Sequence, residues 1–258
     1  MKYTITGFIT AFAIAIFLLG FKQTKNNVLA EKIKLIGLFE PIAVIELFTS
    51  QGCSSCPSAD KLLSSTIRNN TGKKIFALSY HVDYWNRLGW ADPFSNSEFS
   101  SRQNKYVNTL KIDGAYTPQI VLNGNREFVG SDKNELSSSL SYELAEKTYV
   151  DFLELEASQE GQAGLKVKYK LDGYFKDATI NFALVSKSET TAIKRGENEG
   201  LTLTNENIVR QLITRNANES GEVSFAKYPV PAVGNTAVIV FVQRKNELKI
   251  IGAAMSKL

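Results

Sequence analysis

The chain has 258 residues, 43% of them apolar and 22% charged, with 17 Gly and 6 Pro, so it can bury a core and is neither disordered nor collagen-like. Its net charge of +4 comes from 30 basic against 26 acidic residues; three of the bases, Lys2, Lys22 and Lys25, lie in an acid-free leader, which leaves residues 31–258 at +1. Without a dense Lys/Arg cluster, no nucleic-acid partner is expected.

From Tyr3 to Phe21 the sequence carries no charge, with Lys2 before it and Lys22 after it. Residues 1–30 therefore read in one of two ways: a secretory signal cut after Val28-Leu29-Ala30, or an uncleaved tether, since 19 residues in a helix span roughly 28 Å, close to a bilayer core. Both place the rest of the chain outside the cytosol, in the periplasm or on the outer face of a membrane.

Pro41 to Phe48 is mostly apolar and ends in Thr49-Ser50-Gln51-Gly52, the pattern of a buried strand running into a turn. Cys53-Ser54-Ser55-Cys56-Pro57 follows, and Leu62, Leu63 and Ile67 then recur at helical spacing until Asn69-Asn70-Thr71-Gly72. Lys74 to Tyr80 is a second buried strand, and Asp92 to Lys111 holds a helix carrying Phe99, Tyr106, Val107 and Leu110. Two short apolar runs flank Asn123-Gly124 between Thr117 and Gly130, which marks a hairpin, and a helix over Asp132 to Lys147 closes this half. From Tyr149 the pattern changes to short strands: Val150–Glu156, Leu165–Leu171, Thr179–Ser186, Glu222–Ala226 and Ala237–Gln243, with Thr204 to Asn216 open between helix and strand. The expected organisation is an α/β domain over residues 31–148 and an antiparallel, β-rich, sandwich-like domain over 149–258.

The chain has two cysteines, and they stand three apart where a buried strand becomes a helix. A helix N-terminus offers unpaired N–H groups and a positive dipole end, which lower a thiol's pKa and make Cys53 a nucleophile that Cys56 can resolve. That chemistry requires the sulfurs to be open to water. A structural disulfide is the plainer alternative, though so short a loop constrains the unfolded chain little. A zinc site wants more ligands than two cysteines and the single histidine, His81, supply.

Strand, C-x-x-C-Pro at a helix start, strand, helix, Thr-Pro opening a strand pair, and a last helix (βαβαββα) together resemble a minimal thioredoxin fold. The resemblance implies that Thr117-Pro118 lies beside the cysteines with a cis peptide bond and that the backbone before it binds an extended substrate. It also implies a proton-exchanging acid on the preceding strand, for which Glu46, seven residues before Cys53, is the candidate; pairing with a base or capping the helix is its other reading. The runs VIELFTSQGCSSCPSAD (44–60), HVDYWNRLGWADPF (81–94), AYTPQIVLNG (115–124) and RGENEGLTLTNENIVRQL (195–212) resemble a family of bacterial secreted proteins, domain of unknown function 1223. That resemblance implies a thioredoxin-like domain followed by a β-rich one and brings no substrate with it.

His81, just past the second strand, reads as a hydrogen-bonded structural residue, a neighbour of the thiols that touches substrate, or a ligand that would join Cys53 and Cys56 on copper. Tyr84, Trp85, Trp90 and Phe94 either line a groove for a peptide, Trp85 foremost, or pack their segment onto the domain. The charged run Lys194 to Gly200 reads as a solvated loop or a partner contact. The sequence thus predicts an exported thiol-disulfide oxidoreductase, with Cys53, Cys56 and Glu46 in the chemistry and Thr117, Pro118, Trp85 and His81 against substrate. No organic cofactor is needed, and the partners are exported proteins bearing thiols or disulfides. The alternative is a non-enzymatic copper carrier or interaction module.

Overall fold

Residues 39–160, 164–225 and 233–257 are described by a computed structural model of the chain; the leader and its signal or tether lie outside them. Among the described residues no helix is long and apolar enough to cross a membrane.

Strand β1 (Ala43–Thr49) and strand β2 (Ile75–His81) run parallel, in register from Ala43↔Ile75 to Thr49↔His81, and helix α1 (Cys56–Asn69) connects them. Helix α2 (Ser97–Leu110) leads to the hairpin of β3 (Gln119–Leu122) and β4 (Arg126–Val129), with β3 antiparallel to β1, and helix α3 (Lys133–Glu143) follows. The starts of α2 and α3 are capped from their own sequence: Asn96 accepts the Glu98 amide, and Asp132 accepts those of Asn134 and Glu135. Helix α1 begins without such a cap, its Ser55 making no side-chain cap bond.

Successive side chains of a strand face opposite ways, and β1 uses both faces. Ala43, Ile45 and Leu47 pack with Ala59 and Leu63 of α1 and Leu136 and Leu140 of α3. Val44 and Phe48 pack on the other side, with Phe99 and Tyr106 of α2.

The second half of the chain supplies β5 (Val150–Glu160), β6 (Gly164–Gly173), β7 (Ala178–Ala192), β8 (Thr202–Asn216), β9 (Ser220–Phe225), β10 (Thr236–Arg244) and β11 (Ile250–Lys257). The open segment 204–216 is therefore strand. Four of these strands extend the central sheet, whose order is β11-β10-β7-β8-β2-β1-β3-β4, while β5-β6-β9 form a separate three-stranded sheet. The seam is narrow: β8 pairs with β2 in parallel at Ser79↔Ile208. Val167, Leu171, Val223 and Phe225 of the small sheet bury against Ile180, Phe182, Leu184 and Val240 of the large one, a two-layered antiparallel arrangement. The opposite face of β7 and β10, with Ala183, Val185, Ile239 and Phe241, shares a core with Phe48, Tyr80 and Phe99. The chain is a mixed α/β structure with an eight-stranded sheet and a second, antiparallel one.

The hairpin turn also joins the two halves. Gly124 has φ +71°, and a Cβ there would stand 1.9 Å from the Leu248 carbonyl oxygen in the turn between β10 and β11, so only glycine fits. The Ile250 amide donates to Asn123 O at 2.8 Å beside it.

Candidate redox site

Beyond Thr49 the chain turns through Ser50-Gln51-Gly52 and delivers Cys53 to the start of α1, where Cys56 is the first helical residue and Pro57 the next. Pro fits there because the first helical amides have no partner within the helix. Cys53 and Cys56 form a disulfide with a Cα–Cα distance of 5.4 Å. Ser54 and Ser55 between them are exposed.

The sulfurs are not open to water as the sequence led us to expect: Cys53 and Cys56 are each 0% exposed. The segment joining β7 to β8 lies against the backbone of the cysteine turn. Asn198 donates from Nδ2 to the carbonyls of Gln51 and Cys53, both at 2.9 Å, and Glu197 accepts the Ser54 amide at 3.0 Å. Glu197 thus takes the anion's place at a helix start that lacks a cap of its own. The bonds from Ser54 hold the Glu197 carboxyl below its ordinary 4.5.

The aromatic segment after β2 supplies the next wall. Trp85 stands beside the cysteine turn, its Cβ 3.4 Å from where a Gly52 Cβ would lie, and its indole donates to Thr117 Oγ1 at 2.8 Å. The Thr117–Pro118 bond is cis. Pro118 is buried near α1: a Cβ on Gly130 would be 3.1 Å from Pro118 Cβ and 3.2 Å from Ala59 Cβ. Trp85 thus stands at the cysteine turn and links it to Thr117, while Pro118 lies close to Ala59 of α1. Trp90 donates to Gln51 Oε1 at 3.3 Å, and the Phe94 ring stands edge-on to His81, centroids 5.4 Å apart.

Under the turn lies a buried polar cluster. His81 pairs with Thr49 across β1 and β2, on the face that meets α1, and its Nδ1 is 2.7 Å from Asp92 Oδ2. The same Asp92 oxygen accepts the Gln51 amide at 2.8 Å, so one carboxylate holds both the ring and the turn. Burial works against the charge on Asp92, but His81 and the Gln51 and Phe94 amides outweigh it and bring its pKa below the usual 3.8. Asp60, one helical turn after Cys56, accepts from Thr49 Oγ1 at 3.2 Å and lines a groove of about 390 Å³ between α1 and residues 201–206. Burial pushes the Asp60 pKa from 3.8 up to about 6, against the pull of His81, Thr49 and Asn205. The imidazole Nε2 is buried without a hydrogen-bond partner.

Glu46 is not brought to the sulfurs. It lies on the α2 face of β1, where Arg102 Nε and Nη2 donate to its two oxygens at 2.5 and 2.9 Å and the Tyr106 hydroxyl donates at 2.5 Å. Pairing with a base, the other reading of that residue, is the geometry found. Nor do Cys53, Cys56 and His81 form a ligand set: among the described residues no group of three His, Cys, Asp or Glu side chains is arranged to hold a metal.

Asp60, Asp92, Glu197 and Asn198 are neighbours to which sequence reasoning gave no part in the site; the run holding Glu197 and Asn198 reads only as a solvated loop or a partner contact. Asp60 had a readable signal, its four-residue step from Cys56 on one helix face. Asn198 lies 145 residues from Cys53 and had none.

Among solved structures, a structural-genomics protein of Agrobacterium tumefaciens matches with a TM-score of 0.64 at 27% identity, over 84% of this chain and 95% of that one. HBP35 of Porphyromonas gingivalis matches with a TM-score of 0.63 at 15% identity, over 86% of this chain and 76% of its own, which is a likeness of fold. A thioredoxin of Wuchereria bancrofti overlaps 42% of this chain and 84% of its own at 17% identity, with a TM-score of 0.27. Nothing among curated proteins matches. The family model described as "Protein of unknown function (DUF1223)" matches residues 44–243, and the chain belongs to that family.

Proposed function

We propose that this protein is an exported thiol-disulfide exchange protein whose first half is thioredoxin-like, with Cys53 as the attacking sulfur and Cys56 as the resolving one. The observation that carries the reading is the joint placement of the Cys53–Cys56 disulfide at the start of α1 and of Trp85, which runs from the cysteine turn to the Thr117–Pro118 bond. A disulfide at a helix N-terminus forms a comparatively stable thiolate on reduction. In the forward direction the Cys53 thiolate attacks a partner's disulfide, forming a mixed disulfide and expelling one partner thiolate. The Cys56 thiolate then attacks Cys53 Sγ, closing the Cys53–Cys56 bond and expelling the second partner thiolate. The protein dithiol is oxidised by two electrons and the partner disulfide is reduced by two; run backward, the same steps oxidise a partner dithiol. The sulfurs carry the electrons, so no organic cofactor enters. Its partners are exported proteins with thiols or disulfides, and the uncharged leader from Tyr3 to Phe21 supports the compartment, where a disulfide persists.

The test is capture in cells. Cys56→Ala leaves the mixed disulfide unresolved and is expected to hold exported proteins through Cys53, while Cys53→Ser lowers capture by at least ~100-fold. The burial of both sulfurs favours a second reading, a purely structural bridge. A Cys56→Ala protein that captures nothing, together with a wild-type pair that thiol buffers never reduce, would leave that reading alone.

A further inference from the structure

The segment that holds the backbone of the cysteine turn is closed by its own hydrogen bonds and meets the aromatic segment at Gly196, where an added Cβ would stand 3.2 Å from Trp90 Cβ. Between β7 and β8, residues 193–201 close on themselves: the Ile193 amide donates to Leu201 O at 2.8 Å, the Gly200 amide to Ile193 O at 3.0 Å and the Leu201 amide to Asn198 O at 3.1 Å. Residues 194–200 read Lys-Arg-Gly-Glu-Asn-Glu-Gly and hold no apolar side chain. What Glu197 and Asn198 give to the cysteine turn is polar: Glu197 to the Ser54 amide, Asn198 to the Gln51 and Cys53 carbonyls. Hydrogen bonds that water can replace are cheap to open, whereas an apolar seal is not. The turn itself has other holds, from Asp92 on the Gln51 amide and from Asn205 and Trp90 on the Gln51 side chain. The loop can therefore leave while the turn stays in place.

We propose that residues 194–200 are a lid over the Cys53–Cys56 pair, hinged at the buried Ile193 and latched by Glu197 and Asn198, which an extended partner chain displaces. This rests on the exchange reading above and names what the partner must bring. The latch uses one acceptor, for the Ser54 amide, and N–H donors for the Gln51 and Cys53 carbonyls, and a polypeptide backbone carries both kinds of group. A partner segment lying across the turn satisfies with its own C=O and N–H what Glu197 and Asn198 release, and its thiolate then meets Cys53 Sγ. That attack forms the mixed disulfide and breaks the Cys53–Cys56 bond, leaving the electron pair on Cys56 Sγ.

Reduction by dithiothreitol, followed by alkylation and mass measurement, reads the lid without any protein partner. Against the wild type, Glu197→Ala and Asn198→Ala are each expected to be reduced several-fold faster and the double variant at least ~10-fold faster. The Ser54 amide should exchange its hydrogen slowly in the wild type and faster in Glu197→Ala. Rates within about twofold of one another across the variants, or a Ser54 amide that exchanges in the wild type as fast as in an unprotected peptide, overturn the lid. Where the double variant fails to fold, the Glu197→Ala rate and the wild-type exchange still decide. Faster reduction in the lid variants with no capture by Cys56→Ala upholds the lid and sinks the exchange reading; capture with unchanged reduction rates does the reverse.

Discussion

Replacing Arg102 with Ala will cost about 3–5 kcal/mol of folding stability at pH 7, read as a lowered midpoint in urea. Glu46 is 0% exposed, and Arg102 carries its counter-charge through two donors while lying over the rings of Tyr80, Tyr106 and Phe241 at 5.5, 5.3 and 5.2 Å. Burial opposes the guanidinium's charge, but the facing Glu46, Tyr106 and Tyr80 outweigh it and hold the pKa of Arg102 well above its ordinary value. Removing the cation strands a carboxylate in the core, which costs more than the pair itself contributes. The double variant Arg102→Met with Glu46→Gln should regain most of the loss, because Gln still offers an oxygen to the Tyr106 hydroxyl. A double variant no more stable than Arg102→Ala would rule out the stranded charge as the cause. Glu46→Gln alone should leave the pH profile of Cys53 alkylation where it was, since that carboxylate sits across the sheet from α1.

Asp60→Asn will act in the opposite direction, stabilising the protein at pH 7.5 by about 1–3 kcal/mol and by nearly nothing at pH 4. The folded pKa of Asp60, about 6, lies above its ordinary 3.8. Between those values the folded chain binds a proton that the unfolded chain has released, so stability falls as pH rises through the window. Above pH 6 the buried carboxylate costs up to about 3 kcal/mol. Asparagine keeps an oxygen for Thr49 and removes the charge. Urea unfolding at the two pH values reads the difference directly, and an equal gain at both would show that the charge is not what costs.

The central strands were legible because both faces of β1 and β2 are buried, which leaves near-continuous apolar runs in the sequence. The start of α1 was legible from Pro57 and the hairpin from Asn123-Gly124, each residue having few other uses. Strand β8 was not. Opposite it the register shifts between Leu184 and Val185, which pair with Gln211 and Val209, so Arg210 is an extra residue and Ile208 and Val209 are buried side by side. A bulge of that kind erases the two-residue period that separates strand from helix. The cover over the sulfurs left no trace either, because a run of charged and Gly residues has the same composition over a protein site as over water. Glu46 shows the opposite error: its apolar strand made it look reactive, while the cation that neutralises it sits 56 residues away on α2.

The long hairpin of β7 and β8 ties chemistry to architecture. One end of β8 carries the cap over the disulfide, its middle touches β2 at Ser79, and the neighbouring β10 contributes Gln243 and Phe241 around Arg102. A fragment ending at Thr148 would keep every residue of the cysteine turn yet lose Glu197 and Asn198 beside it and Gln243 and Phe241 beside Arg102. Its cysteine turn would keep the Trp85 wall without the loop, and its core would be open along one edge, so a fast reaction with small thiols in such a fragment would describe the cut and not the intact protein.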